Sequence, residues 1–317
     1  SFSGNNICKK ECSSFCNSHS IPRFCLANIS IKGRLYYSAN LIDLPMLPHE
    51  KGIGEAGTFH LICHDCDNTL FDQYENPSNY SRIPTDKMLS QIALKNYLKS
   101  ISKREYELSL YNNISQMSGY DFDAQQTINK LDLNEYIDGF RYAKKATQSK
   151  WDNHYHLCYF DILNYVVPLS FQGNMTLIVD FEGKMINNIY HPSSDYKLKD
   201  VHLCVFPLEN QSVVIMFEEN GEKRNRAFYK QFRNLSTEEK LKALNFIIFS
   251  YSEDVYLYKG IDESVLKNEE LRKVAQQTTM AELQNPFADP LKAAMAVYDL
   301  NKRHTIPNLL DVKYRTR

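Results

Sequence analysis

The chain has 317 residues, 43% of them hydrophobic and 24% charged, with a net charge of −1. That length allows one large domain or two to three small ones, and the near-zero charge excludes a global pull toward nucleic acid, so any polyanion contact must come from local patches. No apolar run approaches the ~18 residues needed to span a bilayer, and residues 1–6 (Ser-Phe-Ser-Gly-Asn-Asn) lack an apolar signal region, so a cytoplasmic protein without membrane contact is expected.

Taken in order, residues 1–26 carry little regular structure. Ile29–Tyr37 reads as a hairpin with Lys32 and Gly33 at its turn. Residues 41–57, rich in Pro and Gly, read as a surface loop, and Thr58–Ile62 as a short strand. Asp67–Tyr74 reads as a helix with Asp67 and Asn68 as N-cap candidates. Pro77 and Pro84 bracket a linker of Asn, Ser and Tyr.

From Thr85 the apolar spacing turns helical through Met88, Ile92, Ala93, Leu98 and Ile101, then Leu108, Leu110 and Tyr111. Gly119, Tyr120 and Asp121 break that run. Helices are expected again over Ala124–Thr147 and Trp151–Val167, with Pro168 ending the last. The period then switches to strands at Met175–Phe181, Val201–Phe206, Ser212–Phe217 and Arg226–Phe232, an antiparallel sheet of four to five strands. Ser236 and Glu239 form a capping box for a helix over Glu238–Phe249. Helices at Glu263–Leu283 and Pro290–Asp299 lead to a basic tail, Lys302, Arg303, Lys313, Arg315 and Arg317 against Asp311, read as a solvated end.

The cysteines carry the sharpest signal. Cys8, Cys12, Cys16, Cys25, Cys63 and Cys66 all fall in the first quarter of the chain. Two closely spaced groups are the pattern of a structural zinc site built from two knuckles. Cys63-x-x-Cys66 has the gap that lets both sulfurs reach one Zn²⁺ at about 2.3 Å. The other pair is Cys8 with Cys12 or Cys12 with Cys16, so two of these three complete the set. Cys158 and Cys204 stand alone in apolar surroundings, as reduced core cysteines do. The expected architecture is α+β: a zinc-knuckle module at 1–78, a helical region at 79–168, and an antiparallel sheet with helices at 169–317 that senses or positions a target.

Ser18-His19-Ser20-Ile21-Pro22, followed by Cys63-x-x-Cys66-Asp67-Asn68-Thr69-Leu70-Phe71, resembles the HNH, or ββα-metal, nuclease motif. The resemblance covers about residues 8–75 and is closest to uncharacterised bacterial HNH-like proteins. It implies that His19 is the general base activating water. It implies that Asp67 stands at the metal-binding helix position, normally histidine, and Thr58 at that of the central asparagine. Ser18 stands where an acidic ligand is common. The implied activity is metal-dependent cleavage of DNA, as in a bacterial defence or mobile-element effector. Structural Zn²⁺ and a catalytic Mg²⁺ or Mn²⁺ are the implied cofactors. Phosphodiester cleavage needs a base for the water and a cation for charge on the phosphoryl and leaving oxygens. An imidazole is suited to the first role, and Asp67 with Asn68 nearby to holding the cation. The rival expectation is a non-catalytic zinc-stabilised module that binds nucleic acid or a protein partner.

Lesser signals are read as structural. Lys9, Lys10, Arg23, Lys32 and Arg34 form a local basic set able to meet phosphate or simply to face solvent. His60 and His64 read as structural or solvent-facing. His154 and His156, placed on a helix, would point to different faces and share no metal. Asp180 with Glu182, and Ser252-Glu253-Asp254, read as turn and strand-end residues.

Overall fold

The computed structural model describes residues 15–38, 41, 50–119, 122–191, 193–277 and 289–317. In chain order the elements are β1 (Ser18–His19), α1 (Arg23–Asn28), β2 (Arg34–Tyr37), β3 (Lys51–Gly52), β4 (Thr58–Phe59) and α2 (His64–Leu70). A 3₁₀ turn at Pro77–Ser81 precedes α3 (Asp86–Ser118) and α4 (Asp123–Gln148). Strands β5 (Tyr155–Leu163), β6 (Leu169–Met175), β7 (Val201–Pro207) and β8 (Ser212–Glu219) follow. The chain continues with α5 (Arg226–Arg233), α6 (Thr237–Tyr251), β9 (Tyr256–Leu257), α7 (Glu263–Leu266), α8 (Glu269–Ala275) and α9 (Pro290–Val297). The fold is α+β, as expected. It divides into two compact units, one drawn from residues 1–20, 57–155 and 192–197, the other from 21–56, 156–191 and 198–317.

The first unit pairs β1 with β4 in a two-stranded antiparallel sheet and follows it with α2 and the long α3–α4 hairpin. Thr85 caps α3 by accepting from the Met88 N–H at 3.2 Å, and Gly119 ends it in the left-handed conformation at φ 68°. The buried residues Met88, Leu89, Ile92, Ala93, Leu94, Leu98 and Ile101 follow the helical spacing expected of α3. Two readings change here. The helix expected over Asp67–Tyr74 starts instead at His64 with Cys63 as N-cap, so Asp67 lies one turn inside it and donates its N–H to the Cys63 carbonyl at 2.9 Å. The Pro-bounded stretch is a 3₁₀ turn in which Asn76 accepts from the Ser78 N–H.

The second unit is built on a seven-stranded sheet in the order β3-β2-β9-β6-β7-β8-β5, larger than the four to five strands expected. Every neighbouring pair from β3 to β8 runs antiparallel. Lys32 and Gly33, both at positive φ, make the expected turn into β2. The segment expected as a helix over Trp151–Val167 instead holds β5. Its run Tyr-His-Leu-Cys-Tyr-Phe-Asp-Ile-Leu is dense in residues that favour pleated surfaces. Conversely Arg226–Phe232, expected as a strand, is helix α5. Its apolar residues Phe228, Tyr229 and Phe232 fall at i, i+1 and i+4, and all three are buried on one face.

Helix α6 runs through the middle of this core, with Leu241 and an unbroken run from Ala243 to Ser250 buried. Ser236 caps it by accepting from the Glu239 N–H at 3.3 Å, as expected. Asn245, buried within it, is satisfied by the Pro307 carbonyl at 3.0 Å and the Leu309 N–H at 2.9 Å. The segment expected as one helix over Glu263–Leu283 holds the shorter α7 and α8 in its described part. The basic tail is not a solvated end. Arg303 pairs with Glu239 at 3.0 Å and lies over the Phe181 ring, Leu309 and Leu310 are fully buried, and Thr316 N–H bonds the Val166 carbonyl at 2.8 Å. No helix among the described residues is long and apolar enough to cross a membrane.

Candidate functional site

The two strands and the helix of the first unit gather the polar residues singled out in the sequence. In the β1–β4 pair His19 lies directly across from Thr58, and Ser18 across from Phe59. The link is extended on one side by the Cys16 N–H bonding the Ile62 carbonyl at 2.8 Å, and on the other by Ser20 N–H bonding the Gly57 carbonyl at 2.8 Å. Tyr74, fully buried, donates its hydroxyl to the Ser20 carbonyl at 3.0 Å, tying the segment after α2 to the end of β1. His19 and Thr58 are half-buried, whereas Ser18 is wholly buried.

The carboxylate of Asp67 turns from α2 toward β1. Ser18 donates its hydroxyl to Asp67 Oδ1 at 2.7 Å. The same oxygen accepts from Lys95 Nζ at 2.7 Å, and that ammonium also reaches Ser18 Oγ at 3.0 Å and Glu75 Oε1 at 3.1 Å. Lys95 has a side-chain exposure of 0% and sits 3.8 Å from the centre of the Phe71 ring, giving it a cation–π contact besides its ion pairs. An ammonium has three N–H donors, and here three oxygens take them. A buried charge with this set of partners is stable where an unpaired one would not be.

Lys95 belongs to a ridge on α3. Lys87, Gln91 and Lys95 recur every fourth residue and therefore share one face. Lys87 bonds Asp72 Oδ2 at 3.0 Å. Gln91 donates to Asp72 Oδ1 at 2.6 Å while its own oxygen accepts the N–H groups of Gln73 and Tyr74 at 3.1 and 2.9 Å. Burial pushes the Asp72 carboxyl up, but the Gln91 and Lys87 bonds outweigh it and hold the group below the usual carboxylate range. The ridge thus grips the segment from Asp67 to Glu75 at five residues, Asp67, Asp72, Gln73, Tyr74 and Glu75. Sequence reasoning missed Lys95 altogether. The signal lay in its position, three residues from both Ile92 and Leu98, on the apolar face of α3 where a solvated lysine has no place.

Asn68 does not join Asp67. It is exposed and donates to His64 Nδ1 at 2.7 Å, one turn back along α2. Nor do His154 and His156 share a helix: His154 precedes β5, with its backbone N–H bonded to Asp86 Oδ1 at 2.9 Å and its ring Nδ1 at 2.7 Å from Asp86 Oδ2. Arg23, Lys32 and Arg34 of the basic set belong to the second unit, where Arg34 approaches Glu50 at 4.0 Å; Lys9 and Lys10 lie outside the described residues. Asp180 serves its turn, accepting from the N–H groups of Glu182 and Lys184 at 2.9 and 3.0 Å.

Two metals can be tested against these residues. For zinc the donors are thiols of the right type. Cys63 is buried at the head of α2, Cys66 lies three residues on, and Cys16 is tied by its backbone to the residue before Cys63. Burial, and after it the Asp67 charge, push the Cys16 thiol up to about 11, with Cys63 adding to the rise. Cys8 and Cys12 lie outside the described residues, and among the described residues no three His, Cys, Asp or Glu side chains gather as a metal-binding group. For a catalytic divalent ion the fit is poor, because the Asp67 oxygen that faces β1 already holds an ammonium and Asn68 is turned away. No protein-family model, curated protein or solved structure matches the chain.

Proposed function

We propose that residues 16–75 are an HNH-type ββα module acting on DNA phosphodiesters, with His19 as the base for the attacking water. The observation that carries this reading is the strand–strand–helix order in which His19 lies across from Thr58 while Asp67 of α2 reaches the residue before His19 at 2.7 Å. On this reading His19 takes a proton from water, Thr58 orients the base or its strand, and Asp67 fixes the helix against β1. The divalent cation expected from the resemblance fits the Asp67 position poorly, and no step is assigned to it. Structural zinc belongs to the proposal: Cys63 and Cys66 with two of Cys8, Cys12 and Cys16 would hold it. Zinc, when bound, would cross-link the two knuckles and supply folding energy. A module that needs its thiols reduced to hold zinc fits the cytoplasm.

The test is cleavage of double- and single-stranded DNA by the full chain, with Mg²⁺, with Mn²⁺ and with chelator, in wild type and His19→Ala. Loss of a general base should cost about 10²–10⁴-fold while zinc content and melting stay unchanged. Cleavage that survives His19→Ala intact would defeat the reading. Metal analysis of Cys66→Ala tests the zinc, which should be lost together with much of the module's stability.

A second reading is favoured by Lys95. A carboxylate neutralised by a fully buried ammonium suits a module that binds nucleic acid or a protein partner without hydrolysing anything. Wild type that binds DNA but cleaves none under any of the three conditions would decide for it.

A further inference from the structure

We infer that the ε-ammonium of Lys95 is the resident cation of the ββα unit, closing Asp67 to divalent metal. The inference rests on reading residues 16–75 as that unit, and not on whether the unit cleaves DNA.

Three oxygens converge on one point between β1 and α2: Asp67 Oδ1 at 2.7 Å, Ser18 Oγ at 3.0 Å and Glu75 Oε1 at 3.1 Å from Lys95 Nζ. Two of them are carboxylate oxygens and the third is a hydroxyl, the hard donors that Mg²⁺ and Mn²⁺ prefer. The set is therefore a cation site by its chemistry, and the cation in it is covalently part of the chain. Ser18 uses its proton toward Asp67 and its lone pair toward Lys95, so the hydroxyl serves both partners at once. A dication brought to the same oxygens would lie within a few ångströms of the ammonium, in surroundings that screen the repulsion poorly.

The ammonium has no easy way out. Lys95 has 0% exposure and its neighbours on the helix, Ala93, Leu94 and Asn96, are also buried. Four residues earlier, Gln91 holds the backbone N–H groups of Gln73 and Tyr74, so the helix face carrying Lys95 is fastened to the segment that carries Glu75. Displacing the lysine would require that fastening to open. Lys95 is accordingly a positioning residue for Asp67 and β1 and touches no substrate, and any cleavage by the wild-type chain proceeds without a divalent ion at Asp67.

The experiment is Mn²⁺ binding followed by electron paramagnetic resonance on the zinc-loaded full chain. Wild type and Asp67→Asn should give the same titration, with no Mn²⁺ bound at Asp67. Lys95→Met keeps the length of the side chain and removes its charge; it should gain one Mn²⁺ per chain with at least about tenfold tighter binding than wild type. That ion should vanish again in Lys95→Met with Asp67→Asn. The melting temperature of Lys95→Met should rise on adding Mn²⁺, whereas that of wild type should not, so a weakly folded variant still reports. Lys95→Arg, which keeps a cation, should gain no Mn²⁺. An equivalent of Mn²⁺ bound by wild type and lost in Asp67→Asn would overturn the inference. So would a Lys95→Met protein that neither binds Mn²⁺ nor is stabilised by it. Failure of the nuclease reading shows instead as absent cleavage, which none of these titrations measures.

Discussion

The two units bury ionisable groups in opposite ways. In the first, Lys95 goes under with its charge, because Asp67, Glu75 and Ser18 receive all three of its donors. In the second, the sheet buries His202, Cys204 and Glu218, and on each of them burial is the strongest influence. Burial alone pushes the His202 imidazole down to about 3, and burial pushes the Glu218 carboxyl up to about 7 despite the Asn225 amide bonded to it. His202 stacks on Phe217 with ring centroids 4.7 Å apart, as a neutral ring would. The lesson is that a charge is retained in a core only where the chain brings oxygens to every donor; elsewhere desolvation selects the neutral form. Retained charge joins elements distant in sequence, here β1, α2 and α3. Neutralised groups serve as packing.

The largest effect should come from breaking the retained charge. Lys95→Met takes the ammonium away from two carboxylates and a buried hydroxyl, leaving Asp67 only the Ser18 hydroxyl among these partners, and removing one partner of a buried pair costs about 3–5 kcal/mol. Asp67 and Glu75 keep 19% and 44% side-chain exposure, so water relieves part of that loss and the low end, about 3 kcal/mol, is expected. Urea unfolding of the metal-free wild type and variant measures it. A loss below about 1 kcal/mol, the range of surface pairs, would mean that Lys95 is held by its packing on Phe71 rather than by charge.

The same contrast explains what was legible beforehand. Local signals read well: the helix start at Thr85, the Gly119 stop, the Lys32–Gly33 turn and the capping serine Ser236 each concern residues within four positions of one another. The apolar runs of β7 and β8 were also plain, since continuous burial on both faces leaves a continuous hydrophobic signature. What failed was long in range or ambiguous in period. Helix α5 has only eight residues, too few for spacing to separate it from a strand. Strand β5 has its start pinned by Asp86, which accepts the N–H of Tyr155 from 69 positions away. Of the candidate site, His19, Thr58 and Asp67 were singled out by motif, but the ammonium paired with Asp67 and Ser18 was hidden, because Ser18 and Lys95 are 77 positions apart.

The next effect in size tests the neutral side of the comparison. Folded His202 stays uncharged down to about pH 3, whereas in the unfolded chain it takes a proton near 6.5. The unfolded state therefore binds more protons as pH falls through that window, and stability drops between about 6.5 and 3. His202→Gln cannot titrate and should lose less on acidification. Relative to its own value at pH 7, it should retain about 3 kcal/mol more than wild type at pH 4, taking 1.36 kcal/mol for each pH unit. Parallel unfolding curves for the two proteins over that range would show that His202 finds a proton acceptor in the core and belongs with Lys95 instead.

The smallest effect has the opposite sign in pH. Glu218 lies at the end of β8 with its carboxylate accepting from Asn225 Nδ2 at 3.0 Å, and Glu222 adds a like charge to the effect of burial. Its folded value is about 7 against an ordinary 4.5, so the folded state holds the proton where the unfolded state has released it. Stability that Glu218 supports below pH 4.5 is thus lost progressively up to about pH 7 and stays lost above it. Glu218→Gln keeps a donor and acceptor of similar shape and removes this loss. Solvent screening near the strand end reduces the full linkage value, leaving an expected gain of about 1–2 kcal/mol for the variant at pH 8 relative to pH 4. The two proteins should be indistinguishable in their response below pH 4.5, where the glutamic acid is neutral in both folded and unfolded chains. A variant that gains nothing at pH 8 would mean that a compensating charge, such as Arg226, whose charge draws the carboxyl down, keeps Glu218 ionised. Glu218 would then be a second retained charge, and the division between the two units would rest on His202 and Cys204 alone.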